Sequence, residues 1–102
     1  MYKLSYLPIA RQDMADIVRY ISHDLGNPSA AGKLAAELVE VADGIPAFPY
    51  SNAAYTPISP LKHEYRKLPV QNFIILYWVD ETEKVVTVAR IIYARRDYEK
   101  LL

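Results

Sequence analysis

The chain closes on "RIIYARRDYEKLL" (residues 90–102), which begins as an apolar strand and then places Arg95 and Arg96 side by side between Tyr93 and Tyr98. Paired guanidinium groups bracketed by phenols suit phosphate contact and base stacking. Asp97 and Glu99 follow at once, so surface ion pairs of little energetic weight are the competing reading. Arg90 alternates in phase with Val86, Val88 and Ile92. An arginine in that company either points into a pocket with a partner or sits at the strand's wet end. In the earlier segment "HEYRKLPV", Arg66 shares a face with Glu64, and His63 shares the other with Tyr65 and Lys67. Metal-free RNA cleavage needs a base for the 2′-hydroxyl, a proton donor and cations at the phosphate. His63 could be that base and Tyr93 or Tyr98 the weak acid, near Arg66 and Arg95. The plainer readings are a half-exposed strand histidine for His63 and a structural salt bridge for Arg90.

Other chemistries lack their residues. There is no cysteine, which excludes disulfides and thiolate metal sites. Two histidines, His23 and His63, are too few for a histidine-built zinc site. His23 falls near the end of the first helix, where an imidazolium suits the helix dipole. No serine stands in a nucleophile elbow or triad arrangement. Gly26, Gly32 and Gly44 are scattered singly, so no loop cradles a phosphate. No cofactor and no metal are expected.

With 12 Lys and Arg against 12 Asp and Glu, the molecule has no strong field to draw it to nucleic acid. The distribution is uneven, because most of the basic side chains fall after residue 60. Apart from the acidic turn Asp80, Glu81 and Glu83, that half is cationic. The start, "MYKLSYLPIARQD", has no apolar stretch long enough for a signal peptide or a membrane span. A cytoplasmic protein is the expectation, as a single domain over residues 1–102.

The positioning elements can be read in order. "YKLSY" alternates as an opening strand. Pro8 suits the first turn of a helix whose stripe runs Ala10, Met14, Ile17, Val18, Ile21 and Leu25, with Gly26 at its end. Asn27-Pro28 restarts a second helix with the stripe Ala31, Leu34, Ala35, Leu38, Val41, Ala42 and Ile45. The short connection implies an antiparallel hairpin. A loop with Pro46, Pro49, Pro57 and Pro60 follows. Three strands then form a meander: "HEYRKLPV", with Pro69 at an end or edge position, then "NFIILYWV" and "KVVTVARIIY". The fold class is α+β, in the order β-α-α-β-β-β, with the helical hairpin on one face of a small, mainly antiparallel sheet.

That architecture raises a covering problem. "NFIILYWV" is apolar on both faces, yet two helices cover only one. Either Ile74, Leu76 and Trp78 or Phe73, Ile75 and Tyr77 stay bare as a partner groove. The alternative is that the Pro-rich loop and the tail "YEKLL" fold over that face.

The ordered set "YLPIARQDMADIVRYI", "NPSAAGKLAAEL", "FPY", "EYRKLPVQNFIILYWVD" and "VVTVARIIYARRDYEKLL" resembles the RelE/ParE superfamily of bacterial type II toxins over nearly the full chain. The resemblance implies a growth-inhibiting toxin held inactive by a co-expressed antitoxin, which would dock on the bare sheet face at Ile74, Leu76 and Trp78 in a toxin–antitoxin hetero-oligomer. RelE-like members of this superfamily cut mRNA on the ribosome with Lys and Arg on the central strands plus C-terminal Arg and Tyr or His. ParE-like members inhibit DNA gyrase without the full set. Here Arg66 stands where the nuclease branch has a lysine and Arg95 near its C-terminal arginine, but Ile74 replaces an arginine and no lysine pair flanks it. The long hairpin through Asn27-Pro28 is similar to ParE. The resemblance therefore implies a gyrase-directed toxin contacting its target through Tyr93, Arg95, Arg96 and Tyr98. Its alternative is an endoribonuclease using His63, Arg66, Arg90, Arg95 and Tyr98. A third reading is a non-toxic module that keeps only the antitoxin interface.

Overall fold

The computed structural model describes residues 1–55, 61–96 and 101–102. Strand β1 (Lys3–Tyr6) leads into helix α1 (Pro8–Arg19) and a π-helical turn (Tyr20–Asp24). Helix α2 (Pro28–Gly44) and a 3-10 turn (Ile45–Ala47) precede the strands β2 (Arg66–Val70), β3 (Phe73–Asp80) and β4 (Val85–Tyr93). The four strands form one sheet in the order β1-β4-β3-β2. β1 runs parallel to β4, while β2–β3 and β3–β4 are antiparallel.

Local chemistry sets the boundaries. Pro8 occupies the first turn of α1, where its missing N–H leaves no bond unmade. Gly26 takes φ +64 between the helices, a conformation open to glycine without steric cost. Asn27 then caps α2 by accepting the Ala30 N–H at 3.1 Å, a contribution of about 1 kcal/mol. Pro69 lies in β2, an edge strand, where a missing donor breaks no ladder.

The main core lies between hairpin and sheet. Ala10 of α1 and Leu34, Leu38, Ala42 and Ile45 from α2 and its end meet Ile75, Tyr77, Val86, Val88 and Ile91. Burying each large aliphatic side chain contributes about 1.5–3 kcal/mol. From the stripe expected for α1, Met14, Ile17 and Ile21 pack against this core at its margin, whereas Leu25 is exposed. The strand expected from His63 begins only at Arg66.

Simple alternation misplaces Arg90. The β3–β4 register pairs Tyr77 with Val88 but Leu76 with Arg90, leaving Ala89 as the extra residue of a bulge. A bulge resets strand parity. Arg90 therefore joins Ile92 on the face away from the helices, while Val86 and Val88 face the hairpin. On that second face, Ile74, Leu76 and Ile92 form a smaller cluster against Leu101 and Leu102. Ile74 and Leu76, on the surface expected to be bare, are thus covered by Leu101 and Leu102, as the alternative reading had it. Of the Pro-rich loop, the described residues 53–55 lie along β2: Ala54 bridges to Arg66, and the Tyr55 N–H bonds the Tyr65 carbonyl at 2.7 Å. Residues 53–55 thereby extend the β2 edge.

Candidate functional site

Arg90 sits in a built ion pair. Its Nε donates to Asp13 Oδ2 at 2.8 Å and its Nη2 to Asp13 Oδ1 at 2.9 Å. Both side chains are only 11% exposed. Asp13 Oδ2 also accepts the Ile91 N–H at 3.0 Å. The reason is topological: β1 ends opposite Val88, so the far half of β4 has no strand beside it there, and α1 brings a carboxylate to the vacant edge. Arg90's pKa is raised, first by the hydrogen bond it donates to Asp13 and against the desolvation of its site. The fork has one remaining contact, Nη1 to the Leu101 carbonyl at 3.5 Å, at the limit of hydrogen-bond range.

Arg66 is held on the opposite face. It pairs across β2–β3 with Tyr77, a residue of the helix-side core. Its Nη1 donates to the Asn52 carbonyl at 2.7 Å, and its Nη2 to Glu64 Oε1 at 3.0 Å. The guanidinium also lies over the Tyr50 ring, 5.0 Å from its centroid. Tyr77 fixes the same loop by donating its hydroxyl to the Pro49 carbonyl at 2.8 Å. His63 lies flat on Trp78, with centroids 3.9 Å apart and planes 2° from parallel, and Tyr65 meets both rings edge-on.

Arg95 and Arg96 differ from the other two arginines. Both are exposed in the turn after β4, and among the described residues neither has an ion-pair partner. The turn is set by the Arg96 N–H on the Tyr93 carbonyl at 3.0 Å and the Ala94 N–H on the Asn72 carbonyl at 2.8 Å. Tyr93 is 43% exposed and meets Phe73 edge-on at 5.9 Å. Tyr98, with Asp97 and Glu99, lies outside the described residues. Of the residues proposed for antitoxin contact, Leu76 is fully buried and Ile74 7% exposed, while Trp78 is half-buried beneath His63.

Two features escaped sequence reasoning. One is Asp13, whose signal was a carboxylate three residues after Ala10, in phase with the apolar stripe. The other is Glu81 as a hub: it accepts hydrogen bonds from Tyr2 at 2.7 Å, from Tyr50 and from Lys84. Lys84 first, then Tyr50 and Tyr2, hold the Glu81 carboxyl down to about 2. The bond to Glu81 pushes the Tyr50 phenol up to about 12. Nothing in the sequence announced this contact, because its members come from the residue before β1, the Pro-rich loop and the β3–β4 turn.

Among the described residues no group of three His, Cys, Asp or Glu is placed to hold a metal ion, and no helix is long and apolar enough to cross a membrane. Open cavities lie among the described residues. A groove of about 700 Å³ runs along the outer side of the hairpin past Met14, Val18 and Val39. A cleft of about 580 Å³ lies beside the exit of β4.

The profile described as "ParE toxin of type II toxin-antitoxin system, parDE" matches residues 4–98. No curated protein sequence matches the chain. Among solved structures, the chain is similar to one from a chromosomal ParDE toxin–antitoxin system of P. aeruginosa, with TM-score 0.76 and 21% identity over 93% of this chain and 98% of that one. It is also similar to a chain of the RelBE2 toxin–antitoxin complex of Mycobacterium tuberculosis, with TM-score 0.62 and 19% identity over 90% and 96%. The isolated E. coli RelE toxin aligns with TM-score 0.58 and 18% identity over 99% and 95%. At such identities the likeness shows a shared fold.

Proposed function

This chain belongs to the ParE toxins of type II toxin–antitoxin systems, and from that premise we propose that it arrests growth by inhibiting DNA gyrase when free of its antitoxin. The observation that carries the choice of target is the scatter of the cationic residues an RNA-cleaving site would use. Arg66 faces the hairpin and Arg90 the opposite side. Both guanidinium groups already spend their donors on the chain itself. His63 is stacked on Trp78 rather than standing between cations. A nuclease needs its base, acid and cations within about 3 Å of one phosphodiester, and these side chains are not gathered in that way. Among the described residues the RNA-cleaving alternative keeps Arg95, with Arg96 and Tyr93, all exposed and suited to phosphate and base; Tyr98, also assigned to it, lies outside the described residues.

Neutralisation follows from the second sheet face. An antitoxin segment docking on Ile74, Leu76 and Trp78 must displace Leu101 and Leu102, which now pack on Ile74, Leu76 and Ile92. Among the described residues, what it displaces is two leucines and one hydrogen bond at its distance limit. A gene for a small protein with a DNA-binding fold and a flexible tail should lie directly beside this one.

Expression of the chain without its antitoxin tests the target. Trapped gyrase–DNA complexes, with intact mRNA on the ribosome, are the expected outcome. Codon-positioned mRNA cuts would replace the gyrase reading with the nuclease one. No effect on growth would leave only an antitoxin-binding module.

A further inference from the structure

We infer that the cleft beside the exit of β4 docks an acidic segment of the target protein, which inserts a large apolar side chain among Tyr20, Phe73 and Tyr93 and sets its carboxylates against Arg95 and Arg96. The inference rests on the reading above that the target is a protein, and it adds where and by what chemistry that protein is held.

Four elements build the cleft, which is lined by Asp16, Ile17, Tyr20, Phe73 and Tyr93. α1 supplies the floor, β3 begins with Phe73, and β4 ends with Tyr93. Tyr20 is delivered by the π-helical turn, in which the Leu25 N–H reaches back five residues to the Tyr20 carbonyl at 3.0 Å. Such turns are uncommon and recur at functional positions. The outcome here is a phenol left 55% exposed beside Tyr93, itself 43% exposed. Phe73 and Tyr93 stand edge to face at 74°, so the walls form a concavity suited to an anchoring side chain rather than a flat platform for a base.

Charge decides what flanks the anchor. Asp16 is the one acidic wall, and it is already engaged by Gln12 Nε2 at 2.8 Å and by Arg19 at 3.8 Å. Arg95 and Arg96, in the turn fixed to the Tyr93 carbonyl, have no carboxylate partner among the described residues. Among the described residues, the turn that follows Tyr93 therefore offers the cleft a cationic flank. The whole chain, with formal net charge +0, lacks the long-range field that phosphate-backbone binding draws on. An apolar anchor with a charged surround is the usual construction of a protein-binding hot spot.

The test uses the full chain and three fluorescent probes: a glutamate–tyrosine copolymer, polyglutamate, and a single-stranded RNA oligonucleotide. The copolymer should bind about tenfold more tightly than polyglutamate, and Tyr20→Ala should remove that advantage. Arg95→Ala with Arg96→Ala should weaken both polypeptides. Tyr20→Glu, which changes only an exposed position, should repel the copolymer and supplies a second variant. All these variants should lose growth inhibition while antitoxin affinity, the readout of an intact fold, stays unchanged. Growth inhibition and copolymer affinity that survive Tyr20→Ala and Tyr20→Glu overturn the inference. So does preferential RNA binding that Tyr20→Ala abolishes. A chain that arrests growth yet spares gyrase in a supercoiling assay defeats the gyrase reading alone, because the two Tyr20 variants still judge the cleft through growth.

Discussion

Arg90 and the Arg95–Arg96 pair lie within one short stretch of chain, yet their surroundings are opposite. Arg90 is 11% exposed and forked onto Asp13. Arg95 and Arg96 are exposed in a turn with no ion-pair partner among the described residues. Removing one partner of a buried pair leaves a charge that neither water nor protein satisfies, whereas an exposed arginine returns to water at little cost. The same side chain is thus architecture on one side of the strand's end and available chemistry on the other. Residue type alone did not distinguish them.

The comparison can be broken at its buried side first. Asp13→Ala should cost about 3–5 kcal/mol in urea unfolding, because it strands the Arg90 guanidinium. It also removes the acceptor of the Ile91 N–H. Pairing it with Arg90→Met should recover much of the loss, and a double variant as unstable as the single one would show that Arg90 was not held by Asp13. Next in size is the second sheet face. Trp78→Glu should weaken antitoxin binding measured by calorimetry, by about tenfold or more if Trp78 lies near the centre of that interface. Unchanged affinity in a folded variant would place the antitoxin elsewhere.

At the exposed side, Arg95→Ala with Arg96→Ala should alter unfolding free energy by no more than about 0.5 kcal/mol while abolishing growth arrest. A large loss of stability would make those arginines structural and erase the contrast. The smallest effect is expected at the exposed Glu81 hub. Its carboxyl is lowered from 4.5 to about 2 in the folded chain, so its contribution is present above pH 4.5 and is lost as pH falls through about 2. The Tyr50 phenol, raised from 10.0 to about 12, contributes below pH 10 and loses that contribution as pH rises through about 12. Glu81→Gln should flatten both ends of the stability–pH profile, and an unaltered acid limb would show that other carboxylates set it.

The elements were legible because their signals are local. Pro8, Gly26 and Asn27-Pro28 marked the helix boundaries, and the structure places helix starts at Pro8 and Pro28. The apolar run of β3 correctly implied a central strand. What covers the second face was left open between a partner and the tail, and the described structure has Leu101 and Leu102 there. Arg90's face was misread because a bulge is a feature of paired strands, invisible to the alternation of one strand alone. Tyr20 was passed over because a π-helical turn and an α-helical one share the same apolar spacing over so few residues.

By itself the sequence determined the order of elements, the hairpin, the apolar central strands and the absence of cysteine chemistry, since each depends on side-chain type and near-neighbour spacing. Only the tertiary structure decided which arginines have an ion-pair partner among the described residues, which tyrosines gather at Glu81, and which aromatic rings share a cleft. Those outcomes turn on contacts such as Asp13 with Arg90 and Tyr2 with Glu81, made between residues far apart in the chain. Such contacts form only after the sheet has fixed its register.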